Sequence, residues 1–122
     1  MTQRRVLVVE DNRDIRESIV ELLEDNGYVA GAASDGVEAL SKLEAEPTPC
    51  VILLDLMMPN MDGRSFREEQ LRRPQLSNIP VILISAHTGL AESARELRAA
   101  AHLEKPLKVS RLLETVRTYC GA

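Results

Sequence analysis

Glu10, Asp11, Asp55, Ser85 and Lys105 have the types and positions needed for phosphoryl chemistry on a carboxylate. Glu10 and Asp11 follow the apolar run Val6-Leu7-Val8-Val9, Asp55 ends Val51-Ile52-Leu53-Leu54, and Ser85 ends Val81-Ile82-Leu83-Ile84. Residues at the carboxyl ends of neighbouring parallel strands meet in one crevice, the usual ligand site of an open α/β sheet. Taken singly, each acid reads as a helix cap or a solvated charge. Taken together, two carboxylates ~4 Å apart repel by ~4 kcal/mol at an effective dielectric of about 20. A proton or a cation must offset that. Oxygen donors favour a hard ion, and magnesium typically accepts one or two carboxylates, a carbonyl, waters and a substrate phosphate. The cluster therefore reads as a Mg²⁺ site open to a phosphoryl oxygen. Lys105 alone would be a surface lysine. The following Pro106 fixes φ and favours an extended Lys105, which aims its charge at the acids and at a transferring phosphoryl group. Ser85, alone a plausible cap, would donate a hydrogen bond to the same oxygens.

The elements that must position these groups alternate along the chain. Val6–Glu10 reads as a buried strand by its unbroken β-branched content. Asn12 is a plausible N-cap, and Ile15, Ile19, Leu22 and Leu23 form one helical stripe that Gly27 closes. Val29–Ala33 is a weaker strand suited to an edge. Asp35 with Glu38 forms a capping pair before a helix bearing Val37, Leu40 and Leu43. Pro47 and Pro49 stop it, Cys50–Leu54 forms the central strand, and Pro59 to Gly63 is a turn-rich loop. A third helix near Arg64–Arg73 has Phe66 and Leu71 as its apolar anchors. Val81–Ser85 is another buried strand, Leu90, Ala94 and Leu97 mark a fourth helix, and Ala101–Leu103 a short fifth strand. Val109, Leu112, Leu113 and Val116 give the last helix an apolar stripe. Five βα units predict one α/β domain over residues 1–122, a doubly wound parallel sheet with helices on both faces.

Bulk properties narrow the function further. Lys plus Arg total 15 and Asp plus Glu 19, a formal charge of −4, with no basic stripe, so direct nucleic-acid binding is not expected. No apolar run approaches a membrane span, and Met1-Thr2-Gln3-Arg4-Arg5 leads straight into a strand rather than a signal-peptide core, so no membrane insertion and a cytoplasmic location are expected. Cys50 and Cys120 lie far apart without metal-ligand spacing and are expected to be free thiols in that compartment.

The motifs Glu10-Asp11, Asp55-Leu56-Met57-Met58-Pro59-Asn60-Met61-Asp62-Gly63, Ser85-Ala86 and Lys105-Pro106 occur in order across nearly the whole chain. This pattern resembles the receiver domain of two-component response regulators. The resemblance implies a flavodoxin-like sheet of order 2-1-3-4-5 with five helices. It implies that Asp55 is the phosphoacceptor, that Asp11, Asp55 and the Met57 backbone carbonyl bind Mg²⁺ with Glu10 acting mostly through water, and that Ser85 and Lys105 contact the phosphoryl group. The donor would be a histidine kinase or histidine phosphotransfer protein. A downstream effector protein would read the face of helix four, strand five and helix five, with a phosphorylation-dependent homodimer as a further expectation. The domain would be a phosphoacceptor that assists its own phosphorylation and dephosphorylation, not an enzyme acting on other substrates.

Several residues depart from the family pattern. Receivers usually carry Tyr or Phe three residues before the lysine, and its inward rotation accompanies activation; this chain has His102. Histidine is smaller and polar and gains less from burial, so looser coupling to the output face is expected. An exposed strand histidine of no consequence is the plainer reading. Ser85 to Lys105 looks about half a helical turn short, and the customary glycine before strand five is replaced within Leu97-Arg98-Ala99-Ala100-Ala101. Met57 and His87 occupy positions that tune how water reaches the phosphoaspartate: Met57 can shade it and His87 can orient water. Haloacid-dehalogenase-like phosphatases need a second Asp where Met57 stands. A flavodoxin-like cofactor binder would have its phosphate repelled by Glu10-Asp11-Asn12. The remaining rival is a receiver fold that binds partners regardless of phosphorylation. The chain ends soon after helix five, so output is expected to pass to another protein unless these residues belong to a longer regulator.

Overall fold

Strands covered by helices on both faces must be apolar at nearly every position, and the runs at Val6, Val51 and Val81 meet that demand. A computed structural model of the chain describes residues 4–58, 60–86 and 89–121. It consists of β1 (Arg5–Val9), α1 (Arg13–Asp25), β2 (Val29–Ala33), α2 (Gly36–Ala45), β3 (Val51–Asp55), α3 (Gly63–Arg72), β4 (Val81–Ser85), α4 (Leu90–Glu96), β5 (Ala101–Glu104) and α5 (Val109–Cys120). The strands form one parallel sheet in the order β2-β1-β3-β4-β5, the order that the family resemblance implied.

Alternation along the strands splits the core into two layers. Leu7, Val9, Ile52, Leu54, Val81 and Leu83 pack with Leu40, Phe66 and Leu90 on one face. Val6, Val8, Val51, Leu53, Ile82 and Ile84 pack with Ile19, Leu23, Leu112 and Val116 on the other. The helix starts are set by side chains that accept from otherwise unpaired amides. Asn12 accepts from the Ile15 amide at 3.0 Å, and Asp62 from Ser65 at 2.8 Å. Asp35 accepts from Glu38 at 2.9 Å while the Glu38 carboxylate accepts from Ser34 at 3.2 Å. Gly27, at φ 88°, follows the end of α1 as expected.

Some expected apolar anchors face solvent. Leu71, Val37 and Val109 are exposed. The inner face of α3 instead buries Phe66 with Arg67 and Gln70. These polar side chains answer unpaired backbone carbonyls. Arg67 donates to the carbonyls of Leu97 and Arg98, both at 2.9 Å, and to Gln70 at 2.8 Å; Gln70 donates to Leu76 and Ile79. Burial, and then the neighbouring charge of Arg98, hold the Arg67 guanidinium below its ordinary pKa. The helix it supports, α4, has only seven residues, in keeping with the short Ser85–Lys105 interval. Arg98 takes φ 55°, the left-handed conformation that a glycine before strand five would adopt without strain.

The expectation of free thiols is overturned: Cys50 and Cys120 form a disulfide, with Cα atoms 5.4 Å apart across 70 positions of sequence. Spacing in sequence gave no warning because the contact is tertiary. Cys50 immediately precedes β3, Cys120 ends α5, and α5 packs along β3.

Candidate functional site

The parallel register brings the carboxyl ends of β1, β3 and β4 together, and the site is built there. Glu10, Asp55 and Ser85 are buried, whereas Asp11 is exposed. Glu10, Asp11 and Asp55 each offer a carboxylate oxygen, and these oxygens lie within 4.8 Å of one another. Three of the expected groups thus converge on one point. The backbone around them is fixed: the Glu10 amide donates to Ala33 at 3.0 Å, and its carbonyl accepts from the Arg16 guanidinium at 2.8 Å. The Asn12 amide donates to Glu10 Oε2, and the Met57 amide to Asp55 Oδ1, both at 3.2 Å.

The loop after β3 is pressed against the strand end by Gly63. A Cβ there would meet the Asp55 carbonyl oxygen at 2.6 Å and the Leu56 Cα at 2.8 Å, so no larger residue fits without backbone movement. The Gly63 amide donates to Leu56 at 3.1 Å, and Asn60 ties the loop to Asp35 at 2.8 Å. Sequence reading assigned Gly63 only to a turn. Its closeness to Asp55 depends on packing between α3 and the strand, which local sequence does not reveal.

Lys105 reaches the cluster from the far side. Its amide donates to the Ser85 carbonyl at 3.0 Å, its peptide bond to Pro106 is cis, and its side chain enters the acid pocket. Nζ lies 2.6 Å from Glu10 Oε1 and 3.5 Å from Asp55 Oδ2, so its nearer partner is Glu10 rather than Asp55. The Glu10 contact is an ion pair without hydrogen-bond alignment, and Oε1 has no hydrogen-bond partner among the described residues.

Charge is distributed unevenly in this pocket. Burial, reinforced by the adjoining Glu10 carboxylate, pushes the Asp55 carboxyl up to about 7; the Met57 amide and Lys105 pull the other way. Burial also opposes ionisation of Glu10, but its contacts with Asp55, Lys105 and the Asn12 amide hold it below its ordinary value. Burial acts against the Lys105 charge too, and its carboxylate partners outweigh this and raise its pKa. Among the described residues of the pocket one lysine faces three acids, an excess of negative charge. A hard divalent cation fits its all-oxygen donor set and would supply what is lacking. An open depression of about 490 Å³ leads to these groups, with Met57 and Ala86 on its rim and the Met57 side chain largely exposed.

One other expected position, His102, lies apart from this cluster. His102 is exposed on β5, opposite Leu83, and lines a separate surface depression with Lys108 and Arg111. His87 and Pro59 lie outside the described residues. No helix among the described residues is long and apolar enough to cross a membrane.

The fold and the acid cluster agree with what comparison finds. Residues 6–117 match the family described as response regulator receiver domain. The chain is 38% identical over 115 residues to the response regulator MprA of Mycobacterium ulcerans, covering 93% of this chain and 48% of that protein. The Francisella response regulator 1452 receiver domain superposes with a TM-score of 0.84 at 33% identity, covering 96% of each chain. The chemotaxis protein CheY4 of Vibrio cholerae gives 0.88 at 29% identity, covering 97% of this chain and 99% of that one. This chain belongs to the response regulator receiver family, whose members act in two-component phosphorelay signalling with histidine kinases and downstream effectors. It spans about half the length of the curated relatives it matches. Receiver domains generally bind Mg²⁺ at an acidic pocket, and the Glu10-Asp11-Asp55 cluster has that character.

Proposed function

We propose that the domain is a phosphorylation-dependent switch that takes a phosphoryl group onto Asp55 from a histidine kinase or histidine phosphotransfer protein. The observation that carries this reading is the convergence of Glu10, Asp11, Asp55 and Lys105 at one open pocket within a receiver fold. A carboxylate Oδ of Asp55 attacks phosphorus as the bond to the donor imidazole breaks, giving an acyl phosphate. Asp11, Asp55 and the Met57 carbonyl would hold Mg²⁺, with Glu10 contributing through water. When bound, the ion supplies positive charge to the phosphoryl oxygens and favours the ionised, nucleophilic form of Asp55. Lys105 stabilises the equatorial oxygens, and Ser85, whose strand end adjoins the lysine backbone, donates to them. The chemistry is therefore mainly positioning and electrostatics, and the domain assists a reaction on itself rather than turning over other substrates.

The new group brings up to about two negative charges to the pocket. Lys105 is then drawn from Glu10 toward Asp55, pulling on β5 and on the loop after β4. The reading assigns output to the surface of α4, β5 and α5, where an effector protein or a second copy would bind in a cytoplasmic setting. Exposed His102 lies on that surface and gains nothing from burial, which favours looser coupling than an aromatic residue gives. Met57, exposed at the pocket rim, shades the phosphoaspartate from water.

The test is incubation with a small-molecule phosphodonor and Mg²⁺, followed by intact mass. One phosphoryl adduct should form, and it should vanish with EDTA and in Asp55→Asn. A domain that binds partners regardless of phosphorylation would take no adduct and would bind its effector equally well with and without the donor.

A further inference from the structure

The Cys50–Cys120 disulfide lies at the opposite end of β3 from Asp55, and the proposed phosphoryl chemistry makes no use of it. It joins the residue before β3 to the last residue of α5, the helix whose other end starts four residues after Lys105. Both cysteines are partly exposed at the edge of the core layer that contains Leu112 and Val116. The surrounding contacts hold the helix end without the covalent bond. Arg4 and Tyr28 both donate to the Gly121 carbonyl, at 3.2 and 2.9 Å. Tyr119 donates to Ala100 at 3.0 Å, and Leu112 and Val116 are buried one to two turns earlier. The reduced form also has somewhere to place a thiol: Cys50 Sγ lies 3.0 Å from the Arg5 carbonyl oxygen, which can accept from an S–H.

We infer that Cys50 and Cys120 form a reversible thiol–disulfide modification site, oxidised by low-molecular-weight disulfides and reduced by dithiols, that fastens or frees the trailing end of α5. In the oxidising direction one cysteine thiolate attacks the small disulfide, forming a mixed disulfide and expelling one small thiolate. The second cysteine thiolate displaces the other, closing the Cys50–Cys120 bond. The protein loses two electrons and the small disulfide gains them. The two thiol protons pass to the departing thiolates. Reduction by a dithiol reverses each step. The redox chemistry stands independently of phosphorylation. Its bearing on output rests on the assignment of α5 to the output surface.

The test uses the free chain, with no phosphodonor present. The native protein is equilibrated across a series of glutathione to glutathione disulfide ratios, quenched with a maleimide, and read by intact mass and amide hydrogen exchange. The two thiols should appear and disappear together, with no unfolding and no covalent dimer. On reduction, exchange at residues 117–121 should rise roughly tenfold while the strands stay protected. Cys50→Ser with Cys120→Ser should reproduce the reduced exchange pattern, and Cys50→Ser alone should accumulate a glutathione adduct on Cys120. A disulfide that opens only when urea unfolds the chain, loss of strand protection on reduction, or re-oxidation into covalent dimers would each overturn the inference. The mass and alkylation readouts on the unaltered chain decide it even if a variant fails to fold.

Discussion

Replacing the proposed phosphoacceptor should make the metal-free protein more stable, and only at the higher pH. The folded Asp55 carboxyl is pushed from its ordinary 3.8 up to about 7, chiefly by burial and then by Glu10. The folded state therefore binds more protons than the unfolded state between those values, and stability falls as pH rises through that window. Above pH 7 the carboxylate is ionised in both states, and the full penalty of the shift, about 4 kcal/mol, weighs on the fold. Asparagine leaves a buried polar group in place of the carboxylate, so only part of this, roughly 2 kcal/mol, is expected to be recovered by Asp55→Asn. For a domain of this size that corresponds to a rise in Tm of roughly 8 °C at pH 8.5. Near pH 4, where the folded carboxyl is already neutral, the variant should match the parent to within about 0.5 kcal/mol. Urea titrations at both pH values in EDTA measure the difference directly. Saturating Mg²⁺ should stabilise the parent more than the variant, because only the parent carries the Asp55 carboxylate. Equal stability of the two proteins at pH 8.5 without metal, or a variant less stable there, would refute the charge distribution assigned to the pocket.

Three other substitutions test how the scaffold holds the site. Gly63→Ala should cost roughly 2 kcal/mol, because its Cβ would press on the backbone of Asp55 and Leu56; Mg²⁺ titration by calorimetry should also show weakened binding. Arg67→Met removes three hydrogen bonds from a buried guanidinium and should cost about 3 kcal/mol in urea denaturation, with amide exchange accelerated around residues 97–101. Arg98→Gly relieves a left-handed backbone and should stabilise the domain by about 0.5–1 kcal/mol despite the greater freedom of glycine in the unfolded chain. A destabilised Arg98→Gly would show that the arginine side chain contributes more than its backbone strain removes.

The parts of this molecule that were legible in the sequence are those fixed by local pattern. Unbroken apolar runs marked β1, β3 and β4, and the residues that end them, Glu10, Asp55 and Ser85, carried the site because parallel strands align their carboxyl ends. Asn12 and the Asp35–Glu38 pair were readable because a cap acts within four residues. The parts that were missed depend on contacts distant in sequence. An apolar-stripe reading of α3 favoured Leu71 over Arg67 and Gln70, since the carbonyls those side chains satisfy come from residues 76–98. The disulfide depends on α5 packing along β3. The preference of Lys105 for Glu10 over Asp55 depends on sub-ångström placement within the pocket, which motif spacing does not encode.

The central claim is that Asp55 forms an acyl phosphate, and chemical mapping of the adduct tests it most directly. The chain is treated with a phosphodonor and Mg²⁺, reduced with borohydride, digested and sequenced by mass spectrometry. An acyl phosphate on an aspartate is reduced to homoserine, so homoserine at position 55 alone, absent when the donor or the metal is omitted, is the expected result. Homoserine at position 11, 5-hydroxynorvaline at Glu10, or an unmodified Asp55 under conditions that phosphorylate a known receiver domain, would contradict it.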